Sequence, residues 1–384
     1  MKKTVLLILP ILALLSLAAC DGAQTPEESA VPAAVMATET PSPEVAVTEP
    51  PAPDFDLAYA KYAPETPVMT VDACEIDWEI YFGALSQRAN FFWLYYGLRD
   101  YSLEMEEDGE TVGDWIREQA EIDLRSMAVF RAWADALGLA LTEEDYAAID
   151  AEIREYADAL YGGDLDAMFA DIGASEAFTR FQGEYGRLND LIFTYYFGAD
   201  GEALSDADVL AYAQERGYVY GKRILFLTVD ENGYQRSDEE KAGKLAEAEA
   251  ALAEMRAVAP EELAERFDAM MRERSEDAGL GAYPDGYYFT EGEFDAMYAP
   301  LLALEEGQMS DIVECDYGYQ IIYRPPMDPE HVFETDADTG DVYTLRRWVA
   351  GMLFNNIAEE RYEAAEVAYA PGFENLDIAE LFEA

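Results

Sequence analysis

The sequence predicts an α+β chain, in which a helical domain made of N-terminal helices and a C-terminal helix is interrupted by a small antiparallel sheet with its own surrounding helices. Three observations carry this expectation. From about Ile76 to Gly217, apolar and aromatic residues recur at helical spacing between short turns. From Gly217 to Arg324 the pattern changes to one strand, two helices, an aromatic glycine loop and a closing hairpin. Beyond it, Asp341 to about Ala368 returns to helical period, with an apolar face that a single helix cannot bury alone.

Lys2-Lys3 precedes an apolar run from Val5 that ends in Leu17-Ala18-Ala19-Cys20. At about 15 residues the run is shorter than the ~20 of a membrane span, and small residues before Cys20 suit a peptidase. Residues 1–19 are expected to be a signal peptide, with an uncleaved anchor helix as the alternative. Cleavage would free Cys20 for diacylglyceryl attachment at the outer face of a bacterial membrane. Residues 20–65 are expected to form a disordered linker, because their Ala, Pro, Glu and Thr cannot bury enough surface to offset ordering. Its reach is on the order of 35 to 40 Å.

The chain carries 25 Lys and Arg against 80 Asp and Glu, a net charge of −55 that disfavours nucleic acid. Such acidity serves solubility in the plainest reading and steering of basic, unfolded chains in the functional one. With Cys20 assigned to lipid, Cys74 and Cys315 remain, in different expected domains, and two free thiols are expected ahead of a disulfide. One histidine and scattered cysteines give no metal spacing, and no cofactor is expected.

The helical domain is expected over residues 66–217. Pro67 to Cys74 is β-prone, and Ile76 opens a helix whose Trp78, Tyr81, Phe82, Leu85, Phe91, Phe92, Leu94 and Tyr95 would serve core and groove. Gly113 or Asp114 starts the next helix, closed by Gly138. Thr142 with Asp145 gives a capping-box-like start for a third, which Gly162-Gly163 ends. Asp164 to Ile172 is a short helix, Ser175 caps one through Phe197, and Ser205 caps one that stops at Gly217. Residues 327–384 are expected to supply the completing C-terminal helix, with Leu345, Trp348, Val349, Met352, Leu353 and Ile357 on one face.

Residues 218–326 form the inserted segment. Tyr218 to Val229 reads as a strand with Lys222-Arg223-Ile224-Leu225 at its centre, and Ser237 with Glu240 caps the helix that follows. Ser275-Glu276-Asp277, the loop Tyr283-Pro284-Asp285-Gly286-Tyr287-Tyr288-Phe289, the run Gly292-Glu293-Phe294, Leu304 to Val313, and the hairpin Tyr317-Gly318-Tyr319-Gln320-Ile321-Ile322 come next. In this order and spacing the segment resembles a parvulin-type prolyl isomerase domain. The family pattern has a histidine on its first strand and another on its last. Those places hold Arg223 and Gln320 here, and the lone histidine, His331, lies beyond the segment. With its helical surroundings the chain resembles PrsA-like and SurA-like extracytoplasmic foldases over most of residues 66–368.

The resemblance implies a lipid-anchored foldase that isomerises X-Pro bonds in unfolded exported polypeptides. It implies Asp277 as the polar group facing the amide, and the opposite charges at two positions the family holds in contact lead to the expectation of a catalytic network in which Arg223 pairs with Asp277 and Gln320 bridges them, with a solvent-facing Arg223 and a vestigial site as the alternative. It implies Phe294 at the proline-contacting position, Phe289 as a second apolar wall, and Met297 or Tyr298 at the next aromatic position. A holdase that binds peptide without isomerising it, and a structural or ligand-binding lipoprotein, are the alternatives.

Overall fold

The computed structural model describes residues 55–98, 100–105, 109–335 and 342–382, so the signal peptide, Cys20 and the linker before Phe55 lie outside the described residues. The chain forms two compact units, Met1–Ile192 with Asn356–Ala384, and Phe193–Asn355. The second unit is wider than the segment expected at 218–326, because it includes the flanking stretches on both sides. The architecture is the expected mixture of helices and small antiparallel sheets. Among the described residues no helix is long and apolar enough to cross a membrane.

The first unit opens with α1 (Phe55–Tyr59), inside the stretch expected to be linker. Its aromatic residues anchor it: Phe55 meets Phe382 edge-on at 5.2 Å, and Tyr59 packs on Phe82 at 5.3 Å. β1 (Pro67–Val71) and β2 (Cys74–Asp77) form a hairpin turned at Asp72, whose φ of 51° is a left-handed conformation that aspartate tolerates. Ile76 therefore belongs to β2, buried by strand alternation, and does not open a helix. Asp77 is the cap instead, accepting from Ile80 N at 3.1 Å, and α2 (Trp78–Tyr96) follows.

Helices α3 (Val112–Leu137) and α4 (Glu143–Tyr161) each begin in a capping box, Thr111 with Asp114 and Thr142 with Asp145, and each ends at a left-handed glycine. α5 (Leu165–Ile172) is capped by Asp164, and α6 (Glu176–Phe197) by the Ser175 hydroxyl, which accepts from Phe178 N at 3.1 Å. Trp78, Tyr81 and Leu85 of α2 and Ile116, Leu124 and Met127 of α3 fill the core under the hairpin.

The second unit continues with α7 (Asp206–Glu215), capped by Ser205, and β3 (Val219–Leu227). α8 (Asp238–Arg256) starts at the Ser237–Glu240 capping box, and a 3₁₀ turn leads into α9 (Leu263–Arg274). β4 (Tyr287–Phe289), α10 (Asp295–Leu302), β5 (Val313–Cys315) and β6 (Gly318–Tyr323) complete an antiparallel sheet of order β4-β3-β6-β5. One face of it, through Ile224, Phe226, Ile321 and Tyr323, packs on Ala248, Leu252 and Met255 of α8 and Phe267 and Met271 of α9.

A second hairpin, β7 (Val332–Thr335) and β8 (Val342–Thr344), precedes α11 (Leu345–Ala364). The helix expected from Asp341 to about Ala368 is thus shorter at both ends. Its Leu345 and Val349 bury against Val209 and Ala213 of α7. Back in the first unit, Val367 and Tyr369 leave the helix to form β9 (Val367–Tyr369), which pairs with β1 in register Met69 to Tyr369, and α12 (Ile378–Phe382) ends the described chain. A strand edge with open donors outcompetes another helical turn there: Asp72 N donates to Glu366 O at 2.8 Å and Ala370 N to Val68 O at 2.8 Å.

Gly318 is the tightest point of the second unit's sheet. At φ 154°, a Cβ there would fall 2.0 Å from Phe226 O and 3.0 Å from Thr228 N, both backbone atoms that cannot yield. Gly318→Ala is expected to destabilise by more than about 3 kcal/mol, at the high end for one substitution. Urea unfolding read by hydrogen exchange on β3 and β6 measures it, and protection equal to wild type would contradict the reading.

Candidate functional site

The site occupies the face of the second unit's sheet turned away from α8 and α9. β3 pairs with β6 so that Arg223 lies opposite Ile322 and Leu225 opposite Gln320. Alternation sends Ile224 and Phe226 to the α8 and α9 side and Arg223 to the other, with Gln320 beside it under α10.

The run Ser275-Glu276-Asp277 lies along β3 past the end of its β4 pairing and replaces a strand partner there. Glu276 N donates to Leu225 O at 2.8 Å, Leu225 N to Ser275 Oγ at 3.0 Å, and Leu227 N to the Glu276 carboxylate at 2.7 Å. This docking delivers Asp277 to Arg223. Arg223 Nε donates to Asp277 Oδ2 at 2.6 Å, with the two side chains 12% and 5% exposed, so the expected ion pair is present. The same Oδ2 accepts from Tyr287 OH at 2.8 Å, and Oδ1 accepts from Gly279 N at 3.1 Å.

The electrostatics follow from that donor set. Burial pushes the Asp277 carboxyl up, but the hydrogen bond and charge of Arg223, with Tyr287 and Gly279, outweigh it and hold the group below the usual carboxylate range. Burial works against the Arg223 cation, and Asp277 more than restores it. Burial first, and then the Asp277 carboxylate, push the Tyr287 phenol up, so it stays protonated as a donor. The site therefore holds a fixed guanidinium–carboxylate pair, and none of Asp277, Arg223 and Tyr287 is poised for proton transfer near neutral pH.

Apolar residues border this pair. The guanidinium of Arg223 lies 5.6 Å from the ring centre of Tyr287 and 5.9 Å from that of Phe294. Phe294 is half-buried, with Tyr287 and Phe289 each at 5.2 Å. The loop before it is braced by Glu293, which accepts from Thr290 N at 2.5 Å. Tyr298 is also half-buried. Phe289 and Met297 are 1% and 0% exposed, so they are floor and core beneath the slot, which corrects the expected wall at Phe289 and leaves Tyr298, of the two residues expected at the next aromatic position, at the slot itself. They are core because α10 approaches β3 closely over Gly221, where a Cβ would lie 2.8 Å from Leu301 Cδ2.

Gln320 requires a second correction. It is fully buried, yet its Nε2 donates to Ala296 O of α10 at 2.8 Å and it does not bridge Arg223 and Asp277. His331 lies beyond the segment in sequence but packs on its sheet, with ring centres 4.7 Å from Tyr220 and 4.9 Å from Tyr288. Those tyrosines alternate with Tyr287 and Phe289, so the histidine sits on the opposite face from the ion pair. Cys315 on β5 and Cys74 on β2 are free thiols. Among the described residues no cluster suits a metal ion.

Tyr287 is the site residue that sequence reasoning missed. Its period-two relation to Phe289 was the available signal, since residues two apart on a strand share a face. In the first unit, Phe91, Leu94, Tyr95 and Tyr96 of α2 form an exposed apolar group, with Phe91 and Tyr95 rings 4.8 Å apart. The other half of that helix, from Trp78 to Leu85, is core.

Two outcomes are expected. Arg223→Met and Asp277→Ala should each destabilise by about 3 to 5 kcal/mol, because each strands a buried charge, while the double variant should cost clearly less than their sum. Additive urea-unfolding energies would rule out the coupling. Burial also lowers the His331 pKa, with Lys222 adding to the effect and Asp285 and Asp328 opposing it. The unfolded chain then binds the extra proton first, so stability is expected to fall as pH drops below about 6.5, until the folded value is passed. Thermal unfolding between pH 7 and 5 should show that slope in wild type and a flatter one in His331→Phe.

No family model matches the chain and no curated protein does. Among solved structures it is similar to PrsA from Bacillus subtilis, at 19% identity and TM-score 0.26, over 73% of this chain and 98% of that one. It is similar to foldase protein PrsA from Streptococcus pneumoniae, at 14% identity and TM-score 0.22, over 68% and 92%. It is also similar to one of PEB4 and Cj1289, two SurA-like chaperones of Campylobacter jejuni, at 17% identity and TM-score 0.23, over 61% and 86%. These solved structures bear the names PrsA and SurA-like chaperone.

Proposed function

We propose that the chain is an extracytoplasmic foldase, tethered by lipid at Cys20, whose sheet-bearing unit binds proline segments of unfolded exported polypeptides and isomerises their X-Pro bonds. The observation that carries this reading is the buried Arg223–Asp277 pair beside the half-exposed ring of Phe294. Isomerisation needs neither nucleophile nor cofactor. It requires loss of amide resonance, a barrier of about 18 to 20 kcal/mol, and a catalyst that holds the twisted amide better than either planar form.

Phe294 and Tyr298 would hold the pyrrolidine ring, with Phe289 and Met297 as the floor. Asp277 fixes the guanidinium through Nε, and in this reading an Nη of the same group donates to the bound peptide. As the amide twists, its nitrogen lone pair leaves conjugation and becomes an acceptor. A hydrogen bond from Arg223 to that nitrogen forms only in the twisted state, which is the condition for lowering the barrier. Asp277 and Tyr287 act in this scheme by orienting Arg223, and no proton is transferred.

The exposed aromatic group on α2 favours a second reading, in which unfolded segments are held by the first unit and the sheet-bearing unit only binds proline peptides. An isomerisation assay on the full chain in mild detergent, with a fluorogenic X-Pro peptide, separates the two. The foldase reading expects catalysis by wild type, a loss of about 100-fold in kcat/KM in Arg223→Ala, and a raised KM in Phe294→Ala. Wild-type rates equal to the uncatalysed reaction, with aggregation of a denatured client still suppressed, would establish the holdase.

A further inference from the structure

We propose that Gln320 is a positioning residue: it supplies the hydrogen-bond donor that Pro300 removes from α10, and by doing so it sets the position of the proline slot on the sheet. The inference rests on the reading of Phe294 and Tyr298 as that slot.

α10 runs from Asp295 to Leu302 with Pro300 inside it. In an α-helix the N–H of each residue donates to the carbonyl four residues earlier, so position 300 should serve Ala296 O. Proline has no N–H, and its ring crowds that same carbonyl. Ala296 precedes Met297, which is 0% exposed, so its carbonyl belongs to a turn pressed onto the sheet. A backbone acceptor there has to find a donor from elsewhere. The donor is Gln320 Nε2, at 2.8 Å, from a side chain that is itself 0% exposed.

The rest of the Gln320 amide is not otherwise engaged. Its Oε1 is buried and has no partner among the described residues, so the bonding of this side chain is devoted to one carbonyl. A fully buried amide with one end unsatisfied is unfavourable in itself, and a leucine of similar size would fill the same space without that penalty. What leucine lacks is the bond to α10.

That bond has a geometric consequence. Met297 and Leu301 pack over Gly221, and such apolar contacts leave a short helix free to slide or rotate by small amounts. A single hydrogen bond from β6 is directional and removes that freedom. The turn it holds carries Phe294 at the helix cap and Tyr298 one turn on. On β6, Gln320 is two residues from Ile322, which pairs with Arg223. The same strand thus references both the slot and the guanidinium, and Gln320 sets the spacing between them without touching the bound peptide.

The test is a double-mutant cycle on the full chain with Gln320→Leu, Pro300→Ala and the pair, reading KM, kcat, the Kd of a proline-containing peptide by calorimetry, and the urea midpoint. Gln320→Leu should raise KM and Kd about tenfold, equivalent to about 1.4 kcal/mol, with kcat within about twofold. In the Pro300→Ala background the helix has its own donor, and the same Gln320→Leu change should then alter KM and Kd by less than about twofold. An equal effect in both backgrounds, or an unchanged KM and Kd in Gln320→Leu, overturns the proposal. A wild-type chain that neither isomerises nor binds the peptide refutes the slot reading itself. The urea midpoints then still show whether Pro300→Ala cancels the loss caused by Gln320→Leu, which is the donor-replacement step.

Discussion

A guanidinium largely buried against the face of a small sheet has to be neutralised where it stands, because little water reaches it there, and the arrangement around Arg223 follows from that requirement. Asp277 is brought in by a segment that borrows the edge of β3, with Ser275 and Glu276 making the bonds a neighbouring strand would otherwise make. The 3₁₀ turn after Asp277 donates Gly279 N to its other oxygen, and the chain then returns as β4 to place Tyr287 on the same carboxylate. One ion pair thereby specifies the path of three successive stretches of chain.

Its chemical consequence is a division of roles. A carboxylate that already accepts three hydrogen bonds is a poor base and a good anchor. The group it anchors is planar, permanently charged and rich in donors, so it can offer directed hydrogen bonds at any physiological pH. Histidines in the same places would titrate near neutrality and exchange protons. With Arg223 and Gln320 in those places the site holds fixed dipoles and no titrating imidazole. The two residues also differ in what they do: one joins the polar network, and the other bonds a carbonyl of α10.

The lone histidine illustrates how distance in sequence misleads. His331 lies well past the hairpin that closes the sheet, yet it packs on Tyr220 and Tyr288 and ties the connection to α11 onto the outer side of the sheet. In the first unit β9 plays a related part, since the chain returns from α11 to complete a sheet begun at Pro67. Each unit is closed by chain that is remote from its start.

The sequence by itself determined the class of the fold, the order of most of its helices and several of the caps that start them, because those depend on local periodicity and on short-range hydrogen bonds such as Thr142 with Asp145 and Ser237 with Glu240. It also raised the expectation that Arg223 pairs with Asp277, because opposite charges fall at positions that a resembling pattern brings into contact, and the fold supplies the contact itself. Tertiary structure decided the remainder. Whether Phe289 and Met297 are wall or floor depends on how closely α10 lies over Gly221, and Ile76 ends in a strand because a hairpin partner was available. Gln320 turned from a bridge to a clamp because Pro300, twenty residues earlier in the chain, left one carbonyl without its donor. Local patterns report what each residue prefers, and only packing decides which unsatisfied group lies within its reach.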